Sequence, residues 1–189
     1  MPIKIYIDQG HNPRDYNTGA EGNGYFEQDI TYEIGRLLYE YLDSNPEFTP
    51  RLSRPTPETM LGTTNSSSLV ERVREANAFG ADVFISLHTN ASVNPNANGA
   101  EALIYSEDSD VAFELAEDIL ESMTAITGLR NRGVIERPGL YVLRRTNMPA
   151  VLVEMGFISN PEEAELMANS PNLFALGIYR GILNYYGFS

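Results

Sequence analysis

The sequence contains no cysteine and only two histidines among its 189 residues. The absence of cysteine excludes disulfide bonds and every zinc site with thiolate ligands. It also leaves the redox environment undefined, because a chain without thiols suits either side of a membrane. Any histidine-containing metal site in this chain must use both imidazoles or be incomplete.

Basic residues are also scarce: 13 lysines and arginines stand against 26 aspartates and glutamates, a formal net charge of −13. Tight binding to nucleic acid needs a basic surface that displaces counterions, and attraction to an anionic membrane surface needs one too. We therefore expect neither partner. The acidic charge favours solubility and says little about a neutral or zwitterionic substrate.

Long apolar runs are missing as well. No stretch approaches the ~20 residues that cross a membrane, so membrane insertion is not expected. The chain passes from Met1 almost directly into a strand pattern, and no signal peptide is recognisable. The length suits one domain, residues 1–189, with a full hydrophobic core, and we expect a monomer.

Strand-like and helix-like runs alternate along the chain, which predicts an α/β fold. We expect one twisted, mostly parallel or mixed sheet of about six strands with helices on both faces. Pro50 places the second strand at an edge or a bulge. The predicted strands are 3–8, 48–53, 83–87, 100–105, 141–143 and 151–154. Apolar periodicity, caps and glycine stops predict helices near 30–41, 66–80 and 111–128 and two more beginning at 161 and 171.

Both histidines stand where a predicted buried strand ends. His11 follows the strand at 3–8, and His88 follows the strand at 83–87. In an open α/β sheet, ligands bind beyond the carboxyl ends of the strands. One histidine at such a place is most often structural, but two of them favour a ligand pair in a catalytic zinc site.

A catalytic zinc site usually has a third protein ligand, and a carboxylate is expected here. Glu21 and Glu27 both follow His11 within one loop. Glu27 lies in the first turn of a predicted helix, where a negative charge also favours the helix dipole. Both explanations of Glu27 are compatible, and the residues alone leave the choice of carboxylate open.

Glu154 follows four apolar residues at the end of the last predicted strand. A carboxylate there costs free energy unless a metal or a partner compensates. Burial and a nearby cation shift its pKa in opposite directions. Such a group is more often functional than structural, and we expect it to act as general base and then as general acid.

Four segments resemble the signature blocks of a known family: Ile5-Tyr6-Ile7-Asp8-Gln9-Gly10-His11, Phe26-Glu27-Gln28-Asp29, Phe84-Ile85-Ser86-Leu87-His88-Thr89-Asn90-Ala91, and Val151-Leu152-Val153-Glu154-Met155-Gly156-Phe157-Ile158-Ser159-Asn160. They are similar to those of the zinc-dependent N-acetylmuramoyl-L-alanine amidases of bacterial cell-wall hydrolases, sporulation lysins and phage endolysins. The resemblance covers nearly the whole chain, including Arg132-Gly133 and residues 141–144. It departs at Asn12-Pro13, where the family usually has glycines.

The resemblance implies that His11, Glu27 and His88 bind Zn²⁺ and that Glu154 is the catalytic glutamate. It implies a peptidoglycan hydrolase that cleaves the amide bond between N-acetylmuramic acid and the L-alanine of the stem peptide. In that reaction Glu154 takes the proton of the attacking water and gives it to the departing amine. The enzyme would act at the bacterial cell wall, reached by lysis, through a holin or as part of a longer exported precursor.

Asn90 and Arg132 are candidate substrate-binding residues. Asn90 follows the second histidine closely, although such an asparagine more often serves a turn. The planar guanidinium group of Arg132 can bind a carboxylate or a diphosphate-like anion at two points, although an arginine more often forms a surface salt bridge. Arg72 and Arg74 lie on a predicted helix; one of them could reach the site, but the solvated face of the helix is the default expectation. The segment 92–99 is too short for the inhibitory helix that some family members insert there, so we expect an uncovered site.

Other functions compete with the amidase. Another zinc peptidase or a deacetylase would use similar ligands, but the order His, Glu, His with a late Glu favours the amidase. A non-catalytic wall-binding module would retain the fold, yet all four key residues are present. A glycosidase would need paired carboxylates and would leave the two histidines unexplained.

Overall fold

Strands and helices alternate along residues 1–106 and 110–188, which the computed structural model describes. Most of the strands join one mixed sheet. The strands are β1 (Ile3–Gln9), β2 (Glu21–Gly22), β3 (Tyr25–Phe26), β4 (Phe48–Leu52), β5 (Val83–Asn90), β6 (Ala100–Ile104), β7 (Asn131–Glu136) and β8 (Ala150–Phe157). The helices are α1 (Glu27–Asp43), α2 (Asn65–Phe79), α3 (Asp110–Thr127), α4 (Tyr141–Arg145), α5 (Pro161–Asn169) and α6 (Pro171–Tyr186).

The six-stranded sheet has the order β4-β1-β5-β8-β6-β7, while β2 and β3 form a separate small antiparallel sheet. The predicted mixed α/β sheet is thereby confirmed, and the strand that contains Pro50 lies at its edge. The first four strands in this order are parallel to one another. Strand β6 runs antiparallel to β8, and β7 runs parallel to β6. One end of the sheet therefore collects the carboxyl ends of four strands and the amino ends of two.

One predicted strand is wrong. Residues 141–143 belong to helix α4, and the sixth strand of the sheet is β7. A short apolar run cannot be assigned to strand or helix by periodicity alone. The sequence pattern did not predict β7, because β7 is a partly exposed edge strand. It contains Gly133 among polar residues, and its only apolar residues are Val134 and Ile135.

Two hydrophobic clusters cover opposite faces of the sheet. The larger cluster packs α1, α3, α5 and α6 against one face, and the smaller cluster packs α2 and α4 over Tyr6, Phe84 and Leu152 on the other. Successive side chains of a strand point to opposite faces. His88 and Glu154 therefore share the face of the smaller cluster, at the ends of their strands.

Helices α3 and α6 approach each other closely at two glycines of α6. A Cβ atom at Gly181 would lie 2.3 Å from the Cα atom of Ile119, and one at Gly177 would lie 2.5 Å from the Cα atom of Met123. These neighbours are backbone atoms, which cannot rotate away as a side chain can. The close contact between α3 and α6 therefore depends on glycine, which has no side chain, at these two positions.

We expect Gly181→Ala to lower the free energy of unfolding by about 1–3 kcal/mol, since overpacking forces the two helices apart. Urea denaturation followed by circular dichroism measures this change. Gly139→Ala is the matched control, because no atom lies within 4 Å of a Cβ at that position. Equal losses in the two variants would contradict the close packing as the cause.

Candidate active site

His11 lies in the loop after β1 with a backbone φ of 71°, in the left-handed region. This conformation is uncommon for a residue with a side chain and persists only where neighbouring groups hold it. Arg72 of α2 is such a neighbour. Its Nη2 donates a hydrogen bond to the His11 carbonyl at 2.6 Å, and its Nη1 donates to the Gln9 carbonyl at 2.7 Å.

Arg72 is buried, so its expected place on a solvated helix face is wrong. It forms an ion pair with Asp8 in which both side chains are 1% exposed, and the Ser86 hydroxyl donates to the same carboxylate at 2.7 Å. Burial acts to raise the pKa of Asp8, but the charge of Arg72 and these hydrogen bonds lower it below its ordinary value. The pair therefore stays charged and joins α2 to the sheet beneath the His11 loop. Arg74 is exposed, as expected, and pairs with Glu71.

The side chains of His11, Glu27 and His88 converge on one point. Glu27 Oε1 lies 3.2 Å from His11 Nε2 and 3.2 Å from His88 Nδ1. One ligand atom from each residue lies within 4.8 Å of the others. Two imidazole nitrogens and one carboxylate form the ligand set of catalytic zinc sites that keep a fourth position for water. The three residues therefore fit a Zn²⁺ ion by geometry and by donor chemistry.

Backbone amides orient the Glu27 carboxylate at the start of α1. Oε1 accepts a hydrogen bond from the Thr89 amide at 2.8 Å, and Oε2 accepts one from the Ala20 amide at 2.8 Å. Burial acts to raise the pKa of Glu27, but hydrogen bonds and charge from the two histidines lower it well below its ordinary value. The carboxylate is therefore in the deprotonated form that binds metals. Glu21, the alternative carboxylate, is exposed on β2 and outside this group.

Gly10 lets the first loop approach the second histidine. A Cβ atom at this position would lie 2.6 Å from His88 Cε1 and 2.5 Å from the Leu87 carbonyl oxygen. The Gly10 amide donates to that same carbonyl at 3.0 Å. The absence of a side chain at Gly10 is thus what allows the two imidazole rings to lie 4.8 Å apart.

Glu154 lies beside this group. In the sheet it stands opposite His88 on β5 and opposite Glu101 on β6. Its Oε2 is buried and has no hydrogen-bond partner among the described residues. Burial, together with repulsion from Glu27 and Glu101, raises the pKa of Glu154 to about 8. A carboxyl group in this range exchanges a proton readily near neutral pH, and a bound cation would lower its pKa.

Asn90 and Arg132 meet at one carboxylate, that of Glu101. Asn90 Nδ2 donates to Glu101 Oε1 at 3.0 Å, and Arg132 Nε donates to Glu101 Oε2 at 2.8 Å. Sequence reasoning did not single out Glu101. The signal was available, because Glu101 interrupts the apolar run 100–104 as an isolated charge.

The segment between β5 and β6 leaves the site without a helix of its own. Residues 91–99 contain bends and turns and no helix, in agreement with the expected absence of an inserted inhibitory helix. A cavity of about 100 Å³ lies against the two histidines, between α2 and α4. Its apolar lining includes Leu69, Leu140 and Val142.

The metal-free protein is expected to lose stability as the pH rises from about 4.5 to about 8. Glu154 keeps its proton up to about pH 8 in the folded chain but loses it near its ordinary pKa of 4.5 once unfolded. In this window the folded state binds more protons, so the free energy of unfolding falls with rising pH. Urea denaturation of the metal-free wild type and Glu154→Gln at about pH 5 and about pH 8 measures the effect. An identical pH dependence in both proteins would contradict it.

Comparison with known proteins identifies the family to which this chain belongs. The family described as N-acetylmuramoyl-L-alanine amidase matches residues 5–184. The chain is 34% identical over 185 residues to the uncharacterized protein YqiI of Bacillus subtilis (strain 168), covering 96% of this chain and 84% of YqiI. It is also 34% identical over 186 residues to the N-acetylmuramoyl-L-alanine amidase LytC of the same organism. That match covers 96% of this chain but only 35% of LytC.

A solved structure shows the same fold over its whole length. The crystal structure of N-acetylmuramoyl-L-alanine amidase from Clostridium difficile 630 superimposes with a TM-score of 0.87 at 30% sequence identity. The superposition covers 98% of this chain and 97% of that one. The likeness therefore extends to the complete sheet and its helices.

Proposed function

Because this chain belongs to the N-acetylmuramoyl-L-alanine amidase family, we propose that it hydrolyses peptidoglycan between N-acetylmuramic acid and the L-alanine of the stem peptide. The observation that carries the proposal is the convergence of His11, Glu27 and His88 beside Glu154. A three-ligand metal site with an adjacent carboxyl group is suited to hydrolysis of an amide. Nothing else in the described residues brings imidazole and carboxylate groups together in this way.

We assign the metal-holding role to His11 through Nε2, His88 through Nδ1 and Glu27 through its carboxylate. When bound, Zn²⁺ lowers the pKa of a water ligand to about 7 and polarises the substrate carbonyl. The Thr89 and Ala20 amides hold the Glu27 carboxylate in place. Arg72 holds the backbone carbonyl of His11 and thereby the position of the loop that carries this ligand.

We assign the proton transfers to Glu154. Its carboxylate takes a proton from the water that attacks the lactyl carbonyl carbon, and the carboxylic acid then gives a proton to the amine nitrogen of the departing L-alanine. The unpartnered, buried Oε2 supports this role, because no hydrogen bond within the described residues competes for its proton. Burial among other carboxylates keeps the pKa of Glu154 high enough for it to act as an acid.

The cavity against the two histidines suits a small apolar group of the substrate. Its volume is about 100 Å³, and Leu69, Leu140 and Val142 line it. We assign it to a methyl group next to the scissile amide, on the L-alanine or on the lactyl moiety. Burial of one methyl group in such a cavity favours binding by roughly 1 kcal/mol.

Action at the bacterial cell wall follows from this substrate. No helix among the described residues combines the length and the apolar character needed to cross a membrane. The route to the wall and the monomeric state stay predictions. They do not affect the chemistry assigned to the site.

Incubation of the zinc-loaded protein with purified peptidoglycan tests the proposal. We expect new L-alanine amino termini, quantified by dinitrophenylation and hydrolysis, and no new reducing ends. Release of a terminal amino acid would indicate a carboxypeptidase, release of acetate a deacetylase, and new reducing ends a glycosidase. Binding to peptidoglycan without any product would indicate a non-catalytic wall-binding module.

A further inference from the structure

A buried carboxylate at the start of β6, Glu101, links two side chains beside Glu154. Glu101 is 6% exposed. Its Oε1 accepts a hydrogen bond from Asn90 at the end of β5, and its Oε2 accepts one from Arg132 at the start of β7. In the strand order β5-β8-β6-β7, the first of these bonds reaches across β8, the strand that carries Glu154. The carboxylate is therefore held at both oxygens.

The Arg132 guanidinium has three contacts that fix its orientation. Besides its bond to Glu101, Nη1 donates to the Asn98 carbonyl at 3.2 Å. The guanidinium carbon lies 5.2 Å from the centroid of the Phe157 ring. The side chain is nevertheless 34% exposed, so a ligand can reach it. An arginine held in one orientation binds a carboxylate at two points with little further loss of side-chain freedom.

The charges around the candidate metal centre make such a cation useful. Glu27, Glu101 and Glu154 are close enough that their repulsion contributes to the raised pKa of Glu154. An anionic group of a substrate that approaches these carboxylates is repelled. Arg132 places an exposed positive charge beside them, at the end of the sheet where the site lies.

We propose that Glu101 is a positioning residue that holds the Arg132 guanidinium to receive a carboxylate of the stem peptide. Asn90 orients the Glu101 carboxylate from the other side, so that Oε2 stays directed at Arg132. Glu101 touches no reacting group, and its effect on the substrate carboxylate passes through Arg132. The inference rests on the proposed amidase function, because it names the substrate group that the same site recognises.

Steady-state kinetics with two synthetic muramoyl peptides tests the inference. The peptides are identical except that the stem carboxylate nearest the scissile bond is free in one and amidated in the other. We expect the wild type to have the lower KM for the free carboxylate. Glu101→Gln should raise that KM about tenfold, since a hydrogen bond to a charged group is lost. Any change in kcat through the pKa of Glu154 should be the same for both peptides. The KM for the amidated peptide should stay nearly the same.

A double-variant comparison separates positioning from a structural role. Arg132→Lys keeps the positive charge but loses the two-point binding of the guanidinium group. We expect it to raise the KM for the peptide with the free carboxylate. If Glu101 acts through Arg132, the double variant Glu101→Gln/Arg132→Lys shows no loss beyond that of Arg132→Lys alone. Arg130→Lys, an exposed arginine just before β7, is the matched control and should behave as the wild type.

Several results would overturn the inference. Losses that multiply in the double variant would show that Glu101 and Arg132 act independently. An equal rise in KM for both peptides would exclude carboxylate recognition. A wild type without preference for the free carboxylate would exclude it even if Glu101→Gln failed to fold. If the wild type released no L-alanine amino termini, the proposed function would fail instead. Calorimetric binding of the two peptides would then decide the inference separately.

Discussion

Glu154→Gln is expected to lower kcat for amide hydrolysis by about 10²- to 10⁴-fold, the usual range for loss of a general acid–base group. Glutamine has nearly the same size but can neither accept the proton of water nor return one to an amine. Glu154 is not among the three converging ligands, so the metal should stay bound. The fold should also persist, because the buried Oε2 has no hydrogen-bond partner to lose among the described residues.

Kinetics on peptidoglycan measures the expected loss of kcat, and elemental analysis of the same preparation measures the retained zinc. Glu165→Gln is the matched control, an exposed glutamate on α5 that should retain full activity. Near-normal turnover by zinc-loaded Glu154→Gln would remove this residue from the mechanism. Loss of zinc from the variant would instead make Glu154 a metal ligand.

Replacement of either histidine by alanine is expected to abolish metal binding and hydrolysis together. The chain has no other histidine that can take over the ligand position. Without one imidazole, the remaining pair of ligands falls below the three that catalytic zinc sites use. The Glu27 carboxylate also loses one of the two hydrogen bonds that lower its pKa, so it becomes easier to protonate.

Zinc content per chain after dialysis, measured on His11→Ala and His88→Ala, checks this expectation. Glu21→Gln serves as the control, because Glu21 follows His11 in the sequence but is exposed and lies outside the ligand group. It should keep one equivalent of zinc. Stoichiometric zinc in either histidine variant, or its loss from Glu21→Gln, would show that the ligand set is wrong.

The local sequence determined the fold class and the outline of the site. Alternating strand and helix patterns predicted the α/β sheet, and Pro50 predicted an edge strand, because both depend on neighbours along the chain. The strand ends placed His11, His88 and Glu154 at one end of that sheet for the same reason. With two histidines and no cysteine, the chain left few ways to build a metal site.

The tertiary structure decided what depends on residues distant in the chain. The residues alone left Glu21 and Glu27 open and the resemblance favoured Glu27, which the structure brings to the histidines. The structure also buried Arg72 against Asp8 and formed a helix from residues 141–143. The reversed direction of β6 and β7 brought Glu101 and Arg132 to the end of the sheet that holds Glu154. Periodicity shows which face of a strand is buried, but the order and direction of strands follow from packing across the whole domain. The two histidines and Glu154 were therefore visible in the sequence, whereas the groups that hold them in place were not.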